Sequence, residues 1–87
     1  FEFDKFHLDR CDAAVREYFS GKQIHVDYAE LYTKLTPYPL YFQFAHLISF
    51  LKYDWKDALR WCLDHRGEIL KHEVDSQNAK HKINTLN

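Results

Sequence analysis

Apolar side chains recur along this chain at the spacing of helical faces, with polar side chains between them. The clearest example follows Asp54, a residue type that caps the free N–H groups at the start of a helix. Ile69 and Leu70 continue the apolar face of this helix, so it is expected to run past His65, with a bend or a local end at Gly67. The face begins with residues at i, i+3, i+4, i+7 and i+8, namely Trp55, Ala58, Leu59, Cys62 and Leu63.

The same periodicity predicts a first helix over residues 4–20. Gly21 follows it and is expected to end the helix in the left-handed conformation, which glycine adopts at little cost. One face of this helix is apolar and carries Leu8, Cys11, Val15, Tyr18 and Phe19. The opposite face is expected to meet water through Asp9, Asp12, Arg16 and Glu17.

A second helix is predicted to begin after Asp27 and to stop before Pro37, because a residue that precedes proline is pushed out of the helical region. Pro39 can then occupy the first turn of a third helix. A helix that is apolar on more than one side is usually packed between neighbours, and the third helix has two apolar stripes. The first stripe consists of Leu40, Phe44, Leu47 and Leu51, and the second of Phe42, His46 and Phe50.

Length and composition predict one domain over residues 1–87, with a loosely attached polar tail over 73–87. Seven Phe, six Tyr and two Trp provide more large apolar surface than so small a core buries easily, which favours a permanent protein partner. The formal net charge of −1 gives no sign of nucleic-acid or anionic-membrane binding, and the longest apolar run, 39–51, is too short to span a bilayer. The first residue, Phe1, is compatible with a removed presequence or with trimming.

Two cysteines are too few for a disulfide framework, so free thiols in a reducing compartment are expected. They offer one candidate metal site, because His7 and Cys11 are at i, i+4 in the first helix and Cys62 and His65 are at i, i+3 in the fourth. Two nitrogens and two sulfurs could form a tetrahedral zinc site if these helices pack together. Because a buried free thiol is ordinary on an apolar face, we predict that no metal or cofactor binds. A small zinc-stabilised helical module is the alternative.

No catalytic centre is predicted. Asp57, Asp64 and Glu68 follow the outward side of the fourth helix, as a solvated face would, and Glu68 with His72 is a single i, i+4 pair. The sequence contains no Gly-rich phosphate loop, nucleophile elbow or HExxH motif. A helix-turn-helix formed by the second and third helices would have almost no Arg or Asn with which to contact DNA. The interpretation is a protein that is not an enzyme and has no nucleic-acid partner.

Four aromatic residues are the candidate anchors of a protein interface. Trp61 lies off the apolar face of its helix, so it is either a flanking aromatic covered by the tail or a binding anchor. Tyr41, Phe42 and Tyr53 are the other residues predicted to be accessible to a partner. Because these side chains are largely apolar, the partner surface is expected to be large and permanent.

The order of these features resembles the Va subunits of cytochrome c oxidase, which are small helical solenoids of tetratricopeptide-like character. The resemblance implies a cofactor-free accessory subunit that braces a respiratory-chain complex. It also implies a location on the matrix side of the mitochondrial inner membrane, peripheral to the membrane through partner subunits. The resemblance covers residues 12–70, and it is carried by Arg16 to Phe19, Tyr28 to Leu35, Pro37, Pro39, Ala45 to Leu51, Asp54, Trp55, Ala58, Leu59 and Arg60.

Together, these patterns predict an all-α domain of four to five helices in antiparallel hairpins, stacked as in a helical repeat or solenoid. The expected role is that of a structural subunit in a multi-protein complex. A generic helical-repeat adaptor is an alternative.

Overall fold

Helices form most of the chain that the structure describes. The computed structural model describes residues 5–72 and 74–75, with side chains from residue 8 onward. The helices are α1 (Lys5–Lys22), α2 (Tyr28–Leu35), α3 (Tyr38–Ser49) and α4 (Trp55–Asp64), and residues 66–72 form a further helix, α5. The predicted all-α class is confirmed, and the repeat-like stacking stays a prediction. The predicted tail lies outside the described residues except for 74–75, which are helical.

The central helix is α3, because α1, α2 and α4 all pack against it. Its start is as predicted, with Pro37 as the residue before the first turn and Pro39 within that turn. The expectation that this helix is packed between neighbours is confirmed for one side, but its second predicted stripe, Phe42, His46 and Phe50, is exposed. The expectation that Leu51 belongs to its buried stripe is wrong, because α3 ends at Ser49 and Leu51 is 53% exposed. The side chains that α3 buries are Leu40, Tyr41, Phe44, Ala45, Leu47 and Ile48.

Both predicted aspartate caps are present. The Asp27 carboxylate accepts hydrogen bonds from the backbone N–H groups of Ala29 and Glu30, at 3.0 and 3.3 Å. The Asp54 carboxylate accepts one from the N–H group of Lys56 at 3.3 Å. Each cap satisfies N–H groups that would otherwise lack a partner at the start of α2 or α4.

Two helices end at residues other than the predicted ones. Gly21 remains inside α1, and Gln23 adopts the left-handed conformation with φ 55°. The longer helix lets Ile24 and Val26 reach the core from the linker that follows. The break between α4 and α5 falls at His65 rather than at Gly67. At His65 the backbone ψ angle is 17°, and the Nδ1 atom of its ring lies 2.8 Å from the Trp61 carbonyl oxygen.

A carboxylate between two tyrosines links three helices. Asp12 of α1 was expected to face water, yet it accepts hydrogen bonds from the hydroxyls of Tyr32 of α2 and Tyr41 of α3. Farther along α1, the Tyr18 hydroxyl donates to the Tyr53 carbonyl, just beyond α3, at 3.1 Å. Because successive positions of α1 meet successive positions of the third helix and its end, α1 and α3 run in the same direction.

Candidate interaction surface

The second predicted stripe of α3 faces outward. Phe42 is 36% exposed, Phe50 is 74% exposed, and His46 between them is also exposed. The rings of His46 and Phe50 stack with centroids 5.4 Å apart. We call Phe42, His46 and Phe50 the outer stripe; its members are one helical turn apart and form a continuous ridge.

A groove of about 420 Å³ runs beside the outer stripe, between α1 and α3. Small residues on both helices, Ala14 and Ala45, leave room for it, and none of the Asp or Glu residues that the structure describes lines it. Its volume lies within the range of ordinary ligand sites, about 300–1,000 Å³, but its lining is that of an apolar contact surface. The lining consists of Arg10, Cys11, Ala14, Phe42, Ala45, His46, Ser49 and Phe50.

The chain turns from α3 to α4 at an exposed corner, which we define as residues 50–53. Leu51 is 53% exposed and Tyr53 is 40% exposed. Both follow Phe50 in the connection between α3 and α4. Lys52 reverses the chain in the left-handed conformation with φ 61°. The sequence predicted access for Tyr53 and missed Leu51, whose spacing continues the buried stripe past the true helix end.

Of the four predicted anchors, Tyr41 is the one that the fold places in the core. Its side chain is 1% exposed, so the prediction that it is accessible to a partner is wrong. Tyr41 stacks on Tyr32 with ring centroids 4.5 Å apart and donates its hydroxyl proton to the Asp12 carboxylate at 3.0 Å. Burial, reinforced by the hydrogen bond to Asp12, raises the pKa of Tyr41 well above its ordinary value. A charged partner for its hydroxyl is what allows this polar ring to be buried.

Trp61 is intermediate between the two environments proposed for it. It is half-buried and packs against the core, and its ring stacks on His65 with centroids 4.1 Å apart. The stack fixes the indole at the junction of α4 and α5. Leu63, on the same helix, is 39% exposed and lies outside the groove.

The four candidate zinc ligands are not shown to converge. Within the described residues, no three His, Cys, Asp or Glu side chains lie close enough to hold a metal ion, and the His7 side chain is outside that part. The Cys11 and Cys62 thiols are free and buried, and burial raises the pKa of both, that of Cys62 to about 12. In this part of the chain α1 meets α4 through the rings of Phe19 and Trp55, 5.6 Å apart, rather than along their lengths.

The charged residues weighed as catalytic candidates are all at the surface. Asp57, Asp64 and Glu68 are exposed, as expected of a solvated face, and so is His72. No helix in the described part of the chain is both long and apolar enough to cross a membrane.

The fold and its surface define a class: an all-α domain whose central helix keeps an apolar ridge on the outside. Comparison with protein-family models, with curated proteins and with solved structures finds no match for this chain. The resemblance to the Va subunits of cytochrome c oxidase therefore stays a prediction.

Proposed function

We propose that this chain is a non-catalytic structural subunit that binds a helix of another protein along the outer stripe and the groove beside it. The observation that carries the proposal is the exposure of large apolar side chains on the central helix and at its end, 36% for Phe42 and 74% for Phe50. An apolar ridge next to a groove whose lining includes two alanines matches the way in which an amphipathic helix is bound, with large side chains spaced one turn apart.

The chemistry of the partner follows from the lining of the groove. Because that lining is mainly apolar and includes two alanines, the partner helix inserts Leu, Ile, Phe or Met side chains there. Phe42 and Phe50 flank the inserted side chains, and His46 remains at the rim, where it can accept or donate a hydrogen bond. A contact of this kind excludes water along two turns of helix and suits a lasting assembly.

The narrower form of the proposal is an accessory subunit of a mitochondrial inner-membrane complex, such as a respiratory-chain oxidase. Its support is the resemblance over residues 12–70 together with the apolar ridge. In this form the chain carries no reacting group, and it stays peripheral to the membrane by binding other subunits.

The test places a photo-crosslinking amino acid at His46 and, as a control, at Leu63. Leu63 is 39% exposed on α4, nearly matching the 36% of Phe42, but it does not line the groove. In detergent-solubilised mitochondrial extract, the His46 probe should crosslink to a single protein in stoichiometric yield within a large complex. The Leu63 probe should give a different product or none.

Alanine variants measure the strength of the contact. Phe42→Ala should loosen the complex by about 1–3 kcal/mol, and Trp61→Ala by about 2 kcal/mol or more if Trp61 is also an anchor. Leu63→Ala is the matched control and should leave the complex intact. A chain that remains a soluble monomer in the extract, with no crosslink from position 46, would refute the proposal.

A further inference from the structure

The corner between α3 and α4 has a shape and a charge pattern that the outer stripe does not explain. Three of its four consecutive residues are large and exposed: Phe50 at 74%, Leu51 at 53% and Tyr53 at 40%. Neighbouring residues in a turn point in different directions, so these side chains form a convex tip rather than one flat face. A protein partner would need a separate cavity for each of them.

The backbone of the corner is fixed by hydrogen bonds. The N–H groups of Phe50 and Leu51 donate to the His46 carbonyl at 2.9 and 3.4 Å, and that of Tyr53 donates to the Leu47 carbonyl at 3.0 Å. The Tyr53 carbonyl in turn accepts the Tyr18 hydroxyl at 3.1 Å. These bonds satisfy the N–H groups of Phe50, Leu51 and Tyr53 and the Tyr53 carbonyl, which lowers the cost of bringing the tip into an apolar medium.

Three lysines lie in or near the segments that form the tip. Lys52 belongs to the corner itself, and Lys56 is the second residue of α4, with its ammonium 5.7 Å from the Trp55 ring centroid. Lys22 is brought from the end of α1, because its ammonium lies 4.8 Å from the ring of Tyr18, whose hydroxyl bonds to the corner.

Two aspartates follow the corner in sequence: Asp54, the N-cap of α4, and Asp57, in its first turn. Asp54 is engaged as the helix cap, and Asp57 is exposed. These three lysines and two aspartates sum to a formal charge of +1.

We infer that this corner inserts into the interfacial layer of a phospholipid bilayer. Phe50 and Leu51 enter the acyl boundary, Tyr53 lies at headgroup depth, and the lysine ammonium groups extend to the lipid phosphates. The contact is peripheral and is held chiefly by apolar side chains, so it is reversible and depends only moderately on salt. Phe50 belongs to both the outer stripe and this corner, whereas Leu51 and Tyr53 do not line the groove, so variants at Leu51 and Tyr53 distinguish a lipid contact from the proposed protein contact.

Flotation of the purified chain with lipid vesicles tests the inference. We expect binding to phosphatidylcholine vesicles, strengthened about fivefold when part of the lipid is phosphatidylserine. Phe50→Ser and Leu51→Ser should each lower the vesicle partition coefficient at least about tenfold. Leu63→Ser removes a 39% exposed apolar side chain near the other end of α4 and should have no effect. Circular dichroism confirms that each variant is folded.

A second readout reports the depth of the tip directly. In a Phe50→Trp variant, brominated acyl chains should quench the additional fluorescence, whereas in a Leu63→Trp variant they should not. The inference is overturned if the wild-type chain does not float with vesicles, or if the serine variants bind as well as the wild type. It is also overturned if Phe50→Ser abolishes self-association while neither protein binds vesicles, because the tip would then be a contact between copies. The crosslink from position 46 can succeed or fail in any of these cases.

Discussion

Replacing Asp12 with alanine should destabilise the fold by about 2–4 kcal/mol. Its carboxylate accepts hydrogen bonds from Tyr32 and Tyr41, the latter at 3.0 Å, and Tyr41 is 1% exposed. A hydrogen bond to a charged group contributes about 1.5–3 kcal/mol, and a buried hydroxyl left without a partner costs about 1–3 kcal/mol. We take a value below the sum of these contributions because Asp12 and Tyr32 are only half-buried, so water can replace part of what is lost.

A double-mutant cycle isolates the contribution of the buried hydroxyl. Urea unfolding, followed by circular dichroism, gives the free energy of unfolding of Asp12→Ala, Tyr41→Phe and the double variant. The expected coupling energy is about 1–2 kcal/mol. Asp9→Ala is the matched control: it removes an exposed carboxylate from the same helix and should change stability by about 0.5 kcal/mol or less. A coupling energy near zero, or equal losses for Asp9→Ala and Asp12→Ala, would refute the reasoning.

Three further predictions concern the helix ends and the core. Gly21→Ala should raise the free energy of unfolding by about 0.5–1 kcal/mol, since Gly21 is helical and a Cβ there would meet nothing within 4 Å. A lower stability of this variant in thermal or urea unfolding would show that Gly21 is left-handed. Ala58→Leu should lower stability by about 1–3 kcal/mol, because Ala58 is 0% exposed, and an unchanged thermal midpoint would contradict close packing of α4. Burial raises the pKa of Cys62 from 9.0 to about 12, so the folded state favours the neutral thiol; the associated stability is complete below pH 9.0 and is lost as the pH rises towards 12. Stability measured over that range should fall less steeply in Cys62→Ala than in the wild type, and parallel curves would contradict the assignment.

Residue patterns identified the helices because each depends on its own local sequence. Asp27 and Asp54 cap the helices that follow them, and Pro37 and Pro39 separate α2 from α3, as expected. The errors in the helix boundaries arose where the tertiary contacts decide. Gly21 is compatible with a left-handed helix end, but α1 continues to Lys22. The linker that follows α1 packs Ile24 and Val26 against the core.

Spacing along α3 indicates the burial of Tyr41 but not the partner of its hydroxyl. Tyr41 and Phe42 are neighbours on α3, but Tyr41 shares the buried side of the helix with Phe44, Ala45 and Ile48, at i+3, i+4 and i+7. That spacing indicates burial, and the hydrogen bond to Asp12 on another helix satisfies the Tyr41 hydroxyl there. The pattern of polar and apolar residues does not indicate that Asp12 and Tyr41 form a hydrogen bond with each other. Their pairing depends on three helices meeting, which is a property of the fold and not of any one segment.

The argument for a binding surface follows from the arrangement of helices around α3. That helix carries apolar residues on every side, while the described residues place three helices, α1, α2 and α4, against it. Those neighbours cover one contiguous arc, and the buried side chains of α3 lie within it. Phe42, His46 and Phe50 point away from that arc, and all three are exposed. A fourth helix supplied by another protein would complete the layer around α3 in the same way that α1 and α4 do, and this geometric completion is why we place the partner there.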